Sequence, residues 1–235
     1  MTQIYNGISE LVTDSYYGYK ILASYRAYGA EYDFCKFYSC GEGIVHIYNS
    51  SMVIDGNVDL SELEMLIKMT KPVTVEMSKL CALQDDSVYQ KCNRTMFCLK
   101  PHETDVDTND VKVNSFTDEC YTILSESFEN MGSFESWYVD INHRIRHKVA
   151  NLYLFDSTTA TQQFNINGFV SLSHIATAKA ARGKGNARKL LYYLAGKYEA
   201  ENCKAYLWAL DHRKSFYESI GFEPVAKDIL YEMKG

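Results

Sequence analysis

The chain has 235 residues, 46% of them hydrophobic, and a formal charge of −6. That length allows two modest cores, since a typical domain takes roughly 100 to 150 residues, and an acidic chain lacks the basic face with which nucleic-acid binders meet phosphate. No apolar run reaches the roughly 18 residues that span a bilayer, and Met1 to Asn6 holds no charged region followed by an apolar one, so neither nucleic acid nor a membrane is expected as a partner and a cytoplasmic location is.

The seven cysteines, Cys35, Cys40, Cys81, Cys92, Cys98, Cys120 and Cys203, contain no C-x-x-C pair. Reduced, mostly buried thiols are expected, and no metal site. In chain order, Tyr32–Ser39 and Gly43–Ile54 are rich in aromatic and β-branched residues around Cys40-Gly41-Glu42-Gly43, which predicts a hairpin. Leu60, Leu63, Leu66 and Ile67 then follow helical spacing, and Pro72 restarts an extended stretch, Val73–Met77. Another strand is expected from Arg94 to Leu99. This half reads as a small α+β domain without a motif that carries chemistry. Lys100 to Asp110 has one proline, four acids and almost nothing apolar, which places a domain boundary there and divides the chain into residues 1–105 and 106–235.

Downstream, Thr117-Asp118-Glu119 opens a helix to about Phe128, with Thr117 as N-cap, and Ser133 to Ser136 opens a second that ends near Lys148. His143 and His147 lie four apart on that helix, but no adjacent Glu or third ligand accompanies them, so they read as a basic helix end. A strand at 151–155, a polar turn and a strand to Asn165 follow. Asn167-Gly168 is a hairpin signal, so the next strand is Phe169–Thr177. A helix from about Gly183 to Glu201, a strand Ala205–Leu210, a helix His212–Ile220 and an extended stretch through Tyr231 complete the order.

The most informative run is Arg182-Gly183-Lys184-Gly185-Asn186-Ala187, between a strand and an amphipathic helix carrying Leu190, Leu191, Leu194 and Tyr198. Glycines let the backbone turn its N–H groups toward an anion, and the first turn of the following helix adds unpaired donors and the positive end of a dipole. A pyrophosphate fits such a cradle. Lys184, Arg188 and Lys189 add charge around it, while the spacing matches neither the Walker loop nor the dinucleotide fingerprint.

Phe216-Tyr217-Glu218-Ser219-Ile220-Gly221-Phe222 follows about thirty residues later. Together the two runs resemble the GNAT superfamily of N-acetyltransferases, whose cofactor signature is Arg/Gln-x-x-Gly-x-Gly/Ala and whose later segment is Phe-Tyr-x-x-x-Gly-Phe. The resemblance extends from about Val111 to the end, and the first half is similar to part of such a domain, as a degenerate copy would be. It implies a mixed, mostly antiparallel sheet flanked by helices. It also implies acetyl-CoA as cofactor, with pantetheine on the strand residues Ile175, Ala176 and Thr177 and the pyrophosphate at Arg182, Gly183, Lys184, Gly185, Asn186 and Ala187. Asp211 stands where the family often has an Asn that contacts the pantetheine arm, and Lys179 where it often has a proline.

Tyr217 matches the family's tyrosine that hydrogen-bonds or protonates the departing thiolate, a role open to a phenol near pKa 10. Many members place a carboxylate base on the fourth strand, but Phe169–Thr177 has none, and His174 is its one titratable residue. Strand alternation puts His174 and Ser173 on opposite faces, so one of them faces the acceptor. The expected activity is direct transfer of an acetyl group from acetyl-CoA to a small-molecule or peptide amine. The alternative is a non-catalytic CoA-binding or protein-interaction module on the same fold.

Overall fold

The computed structural model describes residues 1–77, 87–129 and 131–234, and its contacts divide into two compact units, Met1–Thr95 with Lys227–Gly235, and Met96–Ala226. The first unit runs β1 (Thr2–Ile4), α1 (Ile8–Leu11), α2 (Tyr16–Tyr28), β2 (Cys35–Cys40), β3 (Gly43–Tyr48), β4 (Ser51–Asp55), α3 (Leu60–Thr70) and β5 (Thr74–Met77). Strand β6 (Tyr89–Cys98) follows. The second unit runs β7 (Lys112–Val113), α4 (Thr117–Ser125), α5 (Phe134–Arg146), β8 (Asn151–Phe155), β9 (Thr158–Ile166), β10 (Phe169–Thr177), α6 (Asn186–Ala200), β11 (Lys204–Leu210) and α7 (Asp211–Ser219), before β12 (Glu223–Met233). The division falls inside β6 and β12. It lies upstream of a boundary at 105/106 and assigns the last residues to the first unit because Leu230, Tyr231 and Glu232 pair antiparallel with Glu76, Val75 and Thr74.

Both units repeat one order, β-α-α-β-β-β-α-β. In the first, β1 to β4 pair antiparallel in sequence and β5 joins β4 in parallel. In the second, β7 to β10 do the same and β11 joins β10 in parallel. A parallel neighbour requires a crossover, supplied by α3 in one unit and α6 in the other.

Period-two alternation sorts side chains to two faces, each covered by a helix. Met52 and Ile54 of β4 pack with Leu63, Leu66 and Ile67 of α3, whereas Val53 packs with Tyr17 and Ile21 of α2. Likewise Val170 and Leu172 of β10 pack with Leu190, Leu191 and Leu194 of α6, while Leu152 and Leu154 of β8 pack with Cys120, Ile123 and Leu124 of α4. Fully burying one such side chain contributes about 1.5–3 kcal/mol.

Several local details depart from the sequence reading. The stretch Gly43–Ile54 is two strands, because Asn49, at φ 50, turns the chain between β3 and β4. Thr117 is the first helical residue of α4 instead of its cap; Phe116 occupies the cap position at φ 57 with no side-chain cap bond. Ser133 does cap α5, its hydroxyl accepting from Ser136 N. Asn167 and Gly168 both take positive φ, as a two-residue hairpin turn demands. The six described cysteines are free thiols, and Cys81 lies outside the described residues.

Candidate functional site

Two neighbouring strands of the second unit part company. Strands β10 and β11 pair from Phe169/Lys204 to Leu172/Leu207 and no further, although β10 continues to Thr177 and β11 to Leu210. Beyond Leu172/Leu207 the two strands are no longer in register, and Ile175, Ala176 and Thr177 border a cavity there. A bulge adds to the opening. Between Ser173↔Thr161 and Ala176↔Thr159 strand β10 carries one residue more than β9, and His174 within it sits at φ 49. Strict alternation therefore fails at the position where it was expected to separate Ser173 from His174. Instead the Ser173 hydroxyl lies 3.2 Å from His174 Nδ1, and the imidazole packs edge-on against Phe128 at 5.7 Å.

The connection from β10 to α6 is pinned at its base and open at its top. Ala178 N donates to Ser157 O at 2.9 Å, Lys179 N donates to Glu126 Oε2 at 3.1 Å, and the Arg182 guanidinium reaches back to Thr177 O at 3.1 Å and to Ser127 Oγ at 3.0 Å. The buried Asn186 amide donates at 2.9 Å to both Asp156 O and Asp156 Oδ2, which fixes the start of α6 on the β8–β9 turn. Gly183 and Gly185 lie at φ 81 and 82, a region that side chains avoid. From Gly183 to Arg188 no backbone N–H donates to any described residue, and Gly185, the N-cap of α6, offers no side-chain cap. Six consecutive donors at this helix start have no acceptor among the described residues, and a helix N-terminus of that kind favours negative charge. Lys184 and Arg188 make no ion pair among the described residues, whereas Lys189 is held by Asp105 at 2.8 Å.

This loop borders a cavity of about 460 Å³ lined by Thr177, Gly183, Lys184, Gly185, Asn186 and Ala187, with Arg182, Arg188 and Phe216. A second cavity, about 210 Å³, shares Thr177, Arg182, Ala187 and Phe216 with it and adds Ile175, Ala176, Phe128, Ser127, Arg213 and Tyr217. The two make a continuous trench from the start of α6 to Tyr217. Tyr217 is buried on α7 against Phe97 at 5.5 Å, and its hydroxyl bonds to no described residue. Burial pushes its phenol up to about 12, with Arg213 pulling the other way, so the hydroxyl keeps its proton through the neutral range and can serve as a donor.

The trench thus assembles nine of the residues singled out in the sequence: Ile175, Ala176, Thr177, Arg182, Gly183, Lys184, Gly185, Asn186 and Ala187, together with Tyr217. His174 and Asp211 are not among its lining residues. Asp211 is exposed as the first residue of α7, and His174 stands behind Phe128. Sequence reasoning overlooked Arg213, Ser127 and Phe128 as wall residues. Arg213 was within reach, since it lies four residues before Tyr217 on a predicted helix and so shares its face; Ser127 and Phe128 reach the trench from the loop after α4, which follows no motif.

A group of linked charges lies in the first unit. Glu76 binds Lys20 at 2.5 Å and Arg94 at 3.0 Å, and Arg94 binds Asp228 at 3.0 Å and the Tyr17 hydroxyl at 3.1 Å. Burial alone would raise the Glu76 carboxyl, but Lys20 and Arg94 outweigh it and hold the group down at about 2. Among the described residues no cluster of His, Cys, Asp and Glu is placed to hold a metal ion, and no helix is long and apolar enough to cross a membrane.

Residues 138–224 match the family model of the acetyltransferase (GNAT) domain. Among solved structures, the chain is similar to a GCN5-related N-acetyltransferase from Kribbella flavida, with a TM-score of 0.60 and 12% identity over 99% of this chain and 97% of that one. A GCN5-related N-acetyltransferase from Sphaerobacter thermophilus gives 0.55 and 14% over 80% and 79%. A tandem GNAT protein from the clavulanic acid biosynthesis pathway gives 0.54 and 11% over 93% and 88%. At such identities the likeness is one of fold. A search of curated proteins found no match.

Proposed function

We propose that this chain, whose residues 138–224 match the acetyltransferase (GNAT) domain model, transfers an acetyl group from acetyl-CoA directly to the amine of a small molecule or peptide. The observation that carries the reading is the run of unpartnered N–H donors from Gly183 to Arg188 beside the cavity bordered by the end of β10, the start of α6 and α7. A nucleotide-like diphosphate is the ligand such a run accommodates, and a Cβ added at Gly183 would meet no protein atom within 4 Å, so the cradle has space for it. Acetyl-CoA when bound supplies an activated thioester.

The chain's own residues do the rest. Gly183–Arg188 hold the diphosphate by backbone donors, with Lys184 and Arg188 adding charge, and the backbone of Ile175–Thr177, past its last pairing with β11, hydrogen-bonds the amides of the pantetheine arm. Phe128, Ile175 and Phe216 keep water from the reacting carbonyl, and water exclusion strengthens every hydrogen bond made there. Tyr217 donates its proton, or a hydrogen bond, to the departing thiolate. His174 takes the proton of the acceptor amine, directly or through a water, which requires Phe128 to yield. No residue of the first unit is assigned a part, because Asp59 caps the Ser61 and Glu62 N–H groups of its crossover helix.

Calorimetry of the protein with acetyl-CoA should give one binding site per chain, and thiol release should appear when an amine acceptor is added. Absence of any affinity for acetyl-CoA would refute the proposal.

A further inference from the structure

The charge on the walls of the inner cavity points to the kind of acceptor. Two guanidinium groups, Arg182 and Arg213, reach its lining, and no carboxylate does. Arg182 is already committed to Thr177 O and Ser127 Oγ and borders the anion cradle as well. Arg213 lines the inner cavity alone and makes no ion pair among the described residues. On α7 it stands one turn before Tyr217, so the two side chains rise from one helix face. Arg213 is solvent-exposed as well as lining this cavity, beside Tyr217, whereas Lys184 and Gly185 line the neighbouring one. Phe128, Ile175 and Phe216 make the rest of that wall apolar.

Such a wall discriminates among amines. A plain ammonium or a polyamine placed beside an unpaired guanidinium gains repulsion and no partner, whereas an amine bearing a carboxylate brings the counterion that Arg213 lacks. The planar guanidinium fork matches a carboxylate with two parallel hydrogen bonds. Building on the acetyltransferase reading above, we propose that the acceptor is an amino acid with an apolar side chain, its carboxylate held by Arg213 and its side chain against Phe128, Ile175 and Phe216. Arg213 is then the residue that sets acceptor specificity.

The test is thiol release at saturating acetyl-CoA from a panel of apolar amino acids, each beside its amide and its decarboxylated amine. Wild type should prefer the acid by roughly 10- to 100-fold in kcat/KM, the scale of one charge-assisted pair. Arg213→Ala should abolish that preference by raising KM for the acid while leaving KM for the amide in place, Arg213→Lys should restore part of it, and Arg213→Glu should turn the preference toward the amine. Equal use of acid and amide by wild type, a preference that survives Arg213→Ala, or no release with any carboxylate-bearing amine would overturn the inference. Calorimetry with acetyl-CoA is run on the same proteins. Loss of cofactor binding in wild type overturns the acetyltransferase reading itself, while intact binding with no acid preference overturns only the assignment of Arg213.

Discussion

The start of the crossover helix differs between the two units, though the topology around it is the same. In the first unit four residues, 56–59, lead from β4 to α3, and the Asp59 carboxylate accepts from Ser61 N at 2.9 Å and Glu62 N at 3.1 Å. Gly56 and Gly43 are pressed together, so that a Cβ at Gly43 would stand 2.5 Å from Asp55 O. In the second unit eight residues, 178–185, make the connection, the cap is a glycine, and its donors face a cavity. Strand pairing differs in the same sense. Strand β5 is paired with β4 along its whole length, whereas β11 leaves β10 after Leu207. The first unit answers two of its helix donors with a carboxylate of its own; the second offers its donors no side-chain cap. A few residues at one connection therefore set the two copies apart, while the order of helices and strands stays the same.

Gly185→Glu should break this contrast most severely. It forces a side chain to φ 82 and sets a carboxylate among the donors, and affinity for acetyl-CoA should fall by at least ~10³-fold in calorimetry. The next effect is on stability and belongs to the first unit. The Glu76 carboxyl is held at about 2 against an ordinary 4.5. A depressed carboxylate contributes stability that is present above pH 4.5 and lost as pH falls toward 2, on the order of 3 kcal/mol in all. Glu76→Gln should lower the Tm at pH 7 and flatten the acid side of the Tm profile, and a profile unchanged in slope would refute the linkage.

Acting on the second unit, His174→Ala should lower the acceptor-saturated rate roughly 10²-fold and abolish the acidic limb of the pH–rate profile. Tyr217→Phe should cost roughly tenfold and keep that limb, because a phenol held near 12 does not titrate there. If His174→Ala retained both rate and limb, the proton would leave through water or a carboxylate outside β10. The smallest effect is expected from Asp59→Ala. It frees the donors of α3 yet opens no space beside Gly43 and Gly56, so acetyl-CoA stoichiometry should stay at one per chain and only a slight fall in Tm should be seen.

The turn before α6 was legible in the sequence because backbone shape is written in glycine spacing: Gly183, Gly185 and the helix behind them could be read directly. The Asn167-Gly168 turn was legible for the same reason. What escaped was whatever depends on pairing between distant segments. The bulge that sets His174 at positive φ arises from register against β9, and no local pattern announces it. The turn at Asn49 was hidden because the strands on either side are apolar throughout. Arg213 was passed over as one charge among several on α7, and its meaning depends on which loop residues face it across the trench. The first half yielded α3 and its strands but no chemistry, and its repeat of the second half's order is visible in topology where sequence shows no repeat.

The pairing of Leu230, Tyr231 and Glu232 with Glu76, Val75 and Thr74 bears on how the chain is made. Translation delivers residues 1–95 first, and a domain usually folds as it emerges. Here the earliest-made unit must wait for the last-made strand, while Met96–Ala226 is contiguous and holds everything it needs some residues sooner. Birth order and completion order are reversed. Until residues 227–233 have been made and have left the ribosome, the first unit presents an open edge at β5, the kind of edge that pairs with strangers.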